Sequence, residues 1–417
     1  MNPFLEEPQN LNYLFMDFCK LYPKSYDKNC TDPYTKTRII LMNGTMVESI
    51  FFLHNFQRHC NNNSLRRELS LIRRIKQQQQ KKLICLKPID ENILEHTIGY
   101  EQLAVDLTAR LAQTETDINV KNALNFALLE DFDHLYRFSN LLEMEYGIDP
   151  KKLVGGYTEI MPARPTIAHA RHPFDSVKAF VNFKTAPLLT QLHTLIITAA
   201  EQQTMNYYMN VAGFYPSDIG RRLYQEIGLV EEDHVTQYGS LQDPNSTWLE
   251  MLLLHEYTEC YLYYSCFCTE TDPYIKKIWE HFFNNSVSCL HLAVKLLKEY
   301  EHKDYTEVIP NGEFPELLKL GSNIEYVRDV LCQTVNYTGN LEDYILATEL
   351  EPNARFCKYQ NIVTNNNDVC IVPSHIVIDK AICQYGTDIR FEVRKNPIPQ
   401  LQDRTVDNTT VGRCVQK

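Results

Sequence analysis

Glu101 and Asp131 lie 30 residues apart, Glu201 and Glu231 lie 30 residues apart again, and His134 and His234 each follow three residues behind the second acid. The flanks repeat at the same offset of 100: Glu101-Gln102 with Glu201-Gln202, Leu129 with Leu229, and Asp133-His134 with Asp233-His234. Turn residues fall midway between the acids, at Thr114-Glu115-Thr116-Asp117 and at Gly213-Phe214-Tyr215-Pro216-Ser217-Asp218. Each acid therefore stands roughly 22 Å from its turn at about 1.5 Å per helical residue, so the two meet at one height on antiparallel neighbours. A spacing of three sets each imidazole on the face of its acid.

That face is apolar. Leu124, Ala127, Phe138 and Leu141 share it with Asp131 and His134, and Leu223, Ile227, Tyr238 and Leu241 with Glu231 and His234. Glu101 lies among Leu94, Ile98, Ala104 and Val105, and Glu201 among Ile197, Met205 and Tyr208. Charges in such a stripe must be paired, protonated or metal-bound. Two carboxylates plus two acid-x-x-His pairs, projecting into a four-helix core, form the ligand set of di-iron and di-manganese proteins. The short motif alone is weak, since chance yields about 1.6 matches in a chain of this composition. Three occur, and Glu299 with His302 falls outside the register, at a helix end. Placement of the other two at equal height is what carries the assignment.

Breakers and apolar periodicity predict a mainly α chain: four repeated hairpins, about eight long helices, from about Asn43 to His302. Each turn carries Ser or Asp near its end as an N-cap, Ser64 in the first. The outer hairpins keep the frame but lose the ligands, with Glu48 followed by Gln78 and Lys81, and Glu256 by Ser286 and Cys289. They are expected to be structural repeats packing against the inner pair, and Lys81 speaks against a metal in the first. The expected layout is an N-terminal arm over 1–42, hairpins over 43–302 with a core at 88–240, and a crossover over 148–184. A small mixed α/β region over 303–417 would follow, with Phe314 to Leu331 helical. Strands are expected at Asp368–Val372, His375–Ile378 and Asp388–Val393.

A net charge of −12 disfavours a nucleic-acid partner. No basic stretch leading into an apolar one opens the chain, and no run approaches the roughly 18 apolar residues of a membrane span. The 13 scattered cysteines lack a CxxC pair, which suits reduced thiols and a cytoplasmic protein. Cys266 and Cys268 are read as structural.

Leu129-Glu130-Asp131-Phe132-Asp133-His134 and Val230-Glu231-Glu232-Asp233-His234 resemble the metal-binding helices of the ferritin-like superfamily, and Glu101 and Glu201 its single-carboxylate helices. This resemblance covers about residues 88–240. Arg222 through Tyr257 is similar to a group of poorly characterised ferritin-like proteins, in which the fourth hairpin would carry Glu-x-x-His where this chain has Ser286 and Cys289. Asp131 is a second departure, one methylene shorter than Glu. The resemblance implies a ferritin-like bundle holding two Fe or two Mn ions on Glu101, Asp131, His134, Glu201, Glu231 and His234. It also implies an oxidase, oxygenase or peroxide-handling enzyme acting on O2 or H2O2, with a homo-oligomer compatible. An inert helical scaffold with a relic site is the alternative, and iron storage a third.

Glu130, Tyr208 and Tyr238 are expected behind the ligands, although Tyr100, Tyr207, Tyr208, Tyr238 and Tyr257 read first as packing residues with satisfied hydroxyls. His169, Arg171 and His172 on the crossover, and Gln77 to Gln80 with Lys81 and Lys82, read first as solvated.

Overall fold

The computed structural model describes residues 1–161, 171–334, 337–340 and 343–363, with Cys383, Gln384 and Gly386 beyond them. Among these the protein is mainly helical, with one small antiparallel sheet toward the C-terminus. The long helices are α1 (Pro33–His59), α2 (Asn63–Ile84), α3 (Ile93–Thr114), α4 (Ile118–Tyr146), α5 (Leu188–Phe214), α6 (Asp218–Ser240), α7 (Trp248–Thr269) and α8 (Pro273–Glu301). Two shorter helices, α9 (Ile324–Thr334) and α10 (Arg355–Val363), flank the hairpin of β1 (Tyr337–Asn340) and β2 (Asp343–Leu346).

Three residues separate α1 from α2, α3 from α4, α5 from α6, and α7 from α8. The last of the three caps the returning helix: Asn62, Asp117, Ser217 and Asp272 each accept a hydrogen bond from a first-turn backbone N–H. In the first turn the cap is thus Asn62 and not Ser64. Its amide oxygen reaches the N–H groups of both Ser64 and Leu65, which starts the helix one residue after it. Helix α1 likewise begins at Pro33 and not near Asn43, because Asp32 caps it and Pro33 fits the first position. By length and composition α1 could cross a membrane, with mean hydropathy 1.2 over an 18-residue window, but 61% of that window is buried within the protein.

The chain divides into two compact units, each assembled from several stretches. The first comprises Met1–Glu91, Phe180–Gln203 and Gln242–Leu320. Here the first and fourth hairpins pack on one another, α1 against α7 and α2 against α8. Glu270, buried in the α7–α8 turn, ties them: Thr35 Oγ1 donates to it at 2.5 Å, Trp279 Nε1 at 2.9 Å and Arg38 Nη1 at 3.4 Å. The segment from Glu313 to Leu318 is not helical, contrary to its composition. Tyr257 and Tyr261 donate to the carbonyls of Glu313 and Glu316, and Phe314 packs on both rings, so the backbone is held extended along α7.

The second unit comprises Asn92–Ala179, Thr204–Leu241 and the chain from Gly321 on. Helices α3 and α4 pack along their length, α6 lies against α4, and α9, β1 and β2 cover the outer side of α4. Helix α3 opens with a capping box, Asn92 and Glu95. Helix α4 ends at Gly147, whose φ of 63° closes the last turn in the left-handed conformation. From there the crossover folds back onto α3, where Gln102 Nε2 donates to the carbonyl of Val154 and to Thr158 Oγ1, and Thr158 donates to Asp106. The strands expected after Asn367, and His169, lie outside the described residues.

Candidate metal centre

Alternation of acid and apolar residues on α3, α4 and α6 brings Glu101, Asp131, His134, Glu231 and His234 together in the second unit, every one with 0% of its surface exposed. Glu231 is the hinge of the group. Its Oε1 lies 3.0 Å from His134 Nδ1, and its Oε2 lies 3.1 Å from His234 Nδ1. His134 Nδ1 also faces Glu101 Oε2 at 3.9 Å, and His234 Nδ1 faces Asp131 Oδ1 at 3.3 Å. Glu101, His134 and Glu231 offer ligand atoms within 4.8 Å of one another, and so do Asp131, Glu231 and His234. The two groups, each of which could hold a metal ion, share one carboxylate.

The imidazole of His234 is held from both sides. Its Nε2 is 2.7 Å from Glu130 Oε2, so the proton of the neutral ring belongs there. That leaves Nδ1, a lone pair, pointing at two carboxylates. Either a second proton or a metal ion must sit on that side. His134 Nε2 is buried with no hydrogen-bond partner, while its Nδ1 meets the carboxylates. Burial alone would push the Glu231 carboxyl up, but the two imidazoles outweigh it and hold it well below the usual carboxylate range.

Side chains behind these residues fix them. Tyr208 donates its hydroxyl to Glu101 Oε1 at 2.5 Å, and burial together with that carboxylate pushes the phenol far above its ordinary range. Arg171 is 2% exposed and therefore not solvated, although its place on a crossover suggested so. It donates to Glu130 Oε2 at 3.2 Å, to Gln237 Oε1 at 3.0 Å and to Ser176 Oγ at 3.1 Å, while Ser176 donates to Asp233 at 2.8 Å. Burial opposes its charge, yet Glu130 and Asp233 hold it protonated. His172, in contrast, caps the short helix Pro173–Ser176. Tyr238 is buried beside His234, and Tyr100 stacks on Tyr207 at 4.6 Å. Tyr257 belongs to the first unit. Glu201 is buried on α5, one turn ahead of Thr204, on the stretch counted with the first unit.

The first unit carries its own buried acids. On α7, Glu256 and Glu259 flank the ammonium of Lys76 on α2, which lies 2.6 Å from Glu256 Oε2 and also donates to Glu259. Ser286 Oγ donates to Glu259 at 3.4 Å, and the thiol of buried Cys289 is pushed up by the dry surroundings. Burial, opposed by Lys76 and reinforced by Glu259, lifts the Glu256 carboxyl to about 8. The 30-residue frame set Gln78 and Lys81 against Glu48; beside Glu256 and Glu259 it is Lys76 that turns inward. Its stripe, Leu69, Ile72, Lys76, Gln79 and Leu83, is fully buried, so this polar run is not simply solvated. Glu256-x-x-Glu259 was the signal available in the sequence.

No family model, curated protein or solved structure matches the chain.

Two tests follow from the first unit. Replacing Lys76 by Met leaves two buried acids without their cation and is expected to lower stability by about 3–5 kcal/mol in chemical denaturation. Glu48, on α1, is raised by burial from 4.5 to about 7. A carboxyl that holds its proton more tightly when folded supports folding below its unfolded range, and loses that support as the pH climbs through its folded value. Glu48→Gln should therefore match the parent's melting temperature at pH 4.5 and exceed it at pH 8, read by calorimetry at both values.

Proposed function

We propose that the second unit is a ferritin-like di-metal protein, an oxidoreductase that handles O2 or peroxide with two iron or two manganese ions. The observation that carries this reading is Glu231, shared between two groups of ligand atoms in a core without solvent. Carboxylate oxygens with one imidazole per position suit Fe(II) or Mn(II) better than a thiolate-seeking metal. Glu101 and His134 would hold one ion and Asp131 and His234 the other, with Glu231 bridging. Glu201, the counterpart of Glu101 in the sequence repeat, is proposed as the remaining ligand. Such a pair of ions supplies electrons to the oxidant.

The chain's own groups do the rest. Glu130, braced by Arg171, keeps the proton of His234 on Nε2 and turns Nδ1 inward. Tyr208 orients Glu101 and stays a neutral phenol at any physiological pH, its proton held on the hydroxyl. Phe138, packed against Tyr208 and Tyr224, helps close the space to water.

A second reading, an inert scaffold, is favoured by one fact. The two histidines could carry protons in place of metal, much as the ammonium of Lys76 neutralises Glu256 and Glu259 in the first unit.

Elemental analysis separates the two. The proposal expects about two Fe or Mn per chain, lost in a Glu101→Ala, Glu201→Ala double variant. No metal in either protein, even after anaerobic loading with Fe(II) or Mn(II), would leave the scaffold. Glu130→Gln is expected to weaken metal binding by about 10–100-fold in a metal titration while leaving the helix content intact.

A further inference from the structure

Arg74 and Lys81 are seven residues apart on α2, so they share one face of the helix, with Gln77 between them. In a chain of net charge −12, two exposed cations on one face stand out from the average surface. They do not stand on a flat surface. They border a cavity of about 670 Å³ in the first unit, whose apolar wall is Val47, Ile50 and Phe51 of α1 with Leu21 of the N-terminal arm. The arm is fastened there by a pair of hydrogen bonds, from the Met16 N–H to Gln78 Oε1 at 2.8 Å and from Gln78 Nε2 to the Met16 carbonyl at 2.9 Å. Among the described residues, no acidic side chain lines this cavity.

An apolar wall facing a rim of two cations and several amide groups suits a ligand with one anionic end and one apolar end. The volume falls in the roughly 300–1,000 Å³ range of small-molecule sites. Val47 and Ile50, half-buried in the recess, favour a free molecule that enters it over a membrane surface. Phe18, 90% exposed at the edge of the recess, offers a further apolar surface for the ligand to meet.

We propose that this groove binds a free amphiphilic anion, a carboxylate on an unbranched alkyl chain, with the head at Arg74 and Lys81 and the tail along Val47, Ile50 and Phe51. The site lies wholly in the first unit and does not rest on the metal reading.

Titration calorimetry of the full chain tests it with decanoate, below its micelle concentration, beside acetate (head alone) and decyltrimethylammonium (tail with the opposite charge). Decanoate should bind one per chain, at least about tenfold more tightly than either control, and more weakly as salt is raised. An Arg74→Glu, Lys81→Glu double variant should lose about tenfold or more in affinity with an unchanged melting temperature, because both side chains are exposed. Ile50→Gln should weaken decanoate without altering the salt dependence. Absence of decanoate binding, equal binding of decyltrimethylammonium, or affinity untouched by both variants would overturn the proposal. So would sedimentation with phosphatidylserine vesicles by a chain that ignores free decanoate, which would make the face a membrane contact.

Discussion

A single carboxylate, Glu231, lies between two imidazoles in a fully buried core, and the second unit is organised around keeping that arrangement. Three acids buried together repel one another and forfeit their hydration, which a low-dielectric interior returns only through nearby positive charge or hydrogen-bond donors. The surrounding structure reads as a supply of both. Tyr208 donates to Glu101, the two histidines face Glu231, and Glu130 is taken up by His234 and Arg171. The folding of the crossover is explained by the same need. A segment that could have run over the surface instead delivers a guanidinium and a serine hydroxyl to the back of the centre.

The first unit meets the same electrostatic problem with a covalently attached cation. Lys76 brings one positive charge to Glu256 and Glu259, while burial, opposed by Lys76 and reinforced by Glu259, lifts the Glu256 carboxyl to about 8. A lysine in that place is always present and cannot be exchanged. In the second unit Arg171 stands behind Glu130, whose other partner is His234. The contrast is what gives the shared carboxylate its meaning. One centre holds a lysine between its acids, and in the other two imidazoles face the shared carboxylate.

Much of this was legible because it depends on period and spacing. The helix pairs could be counted from turns, and the positions of Asp131, His134, Glu231 and His234 on inward faces followed from their apolar neighbours three and four residues away. Spacing also gave the equal height that lets Glu101 approach His134. What could not be read was set by partners distant in sequence. Arg171 looked like a loop residue, since apart from Ser176 its side-chain partners, Glu130 and Gln237, are 41 and 66 residues away. The stretch from Glu313 to Leu318 carried helix-compatible residues, but its carbonyls were claimed by tyrosines of α7. Asp133 and Asp233 match in the repeat yet diverge in use, one paired with Arg137 on its own helix and the other with Ser176 of the crossover.

The first hairpin shows what a 30-residue frame leaves open. A frame of 30 residues led to Gln78 and Lys81, whereas the inward residue is Lys76. The frame locates height along a helix, to within about a turn, but rotation about the axis is set by which stripe is apolar. On α2 that stripe runs through Leu69, Ile72, Lys76 and Leu83, and it leaves Lys81 on the opposite, exposed side, where Arg74 stands with it. The rotation that buries one lysine against the acids of α7 therefore also presents the other basic residues to the recess beside α1. One helical phase fixes both outcomes: a charge neutralised inside the unit, and a cationic rim without acids on its outer face.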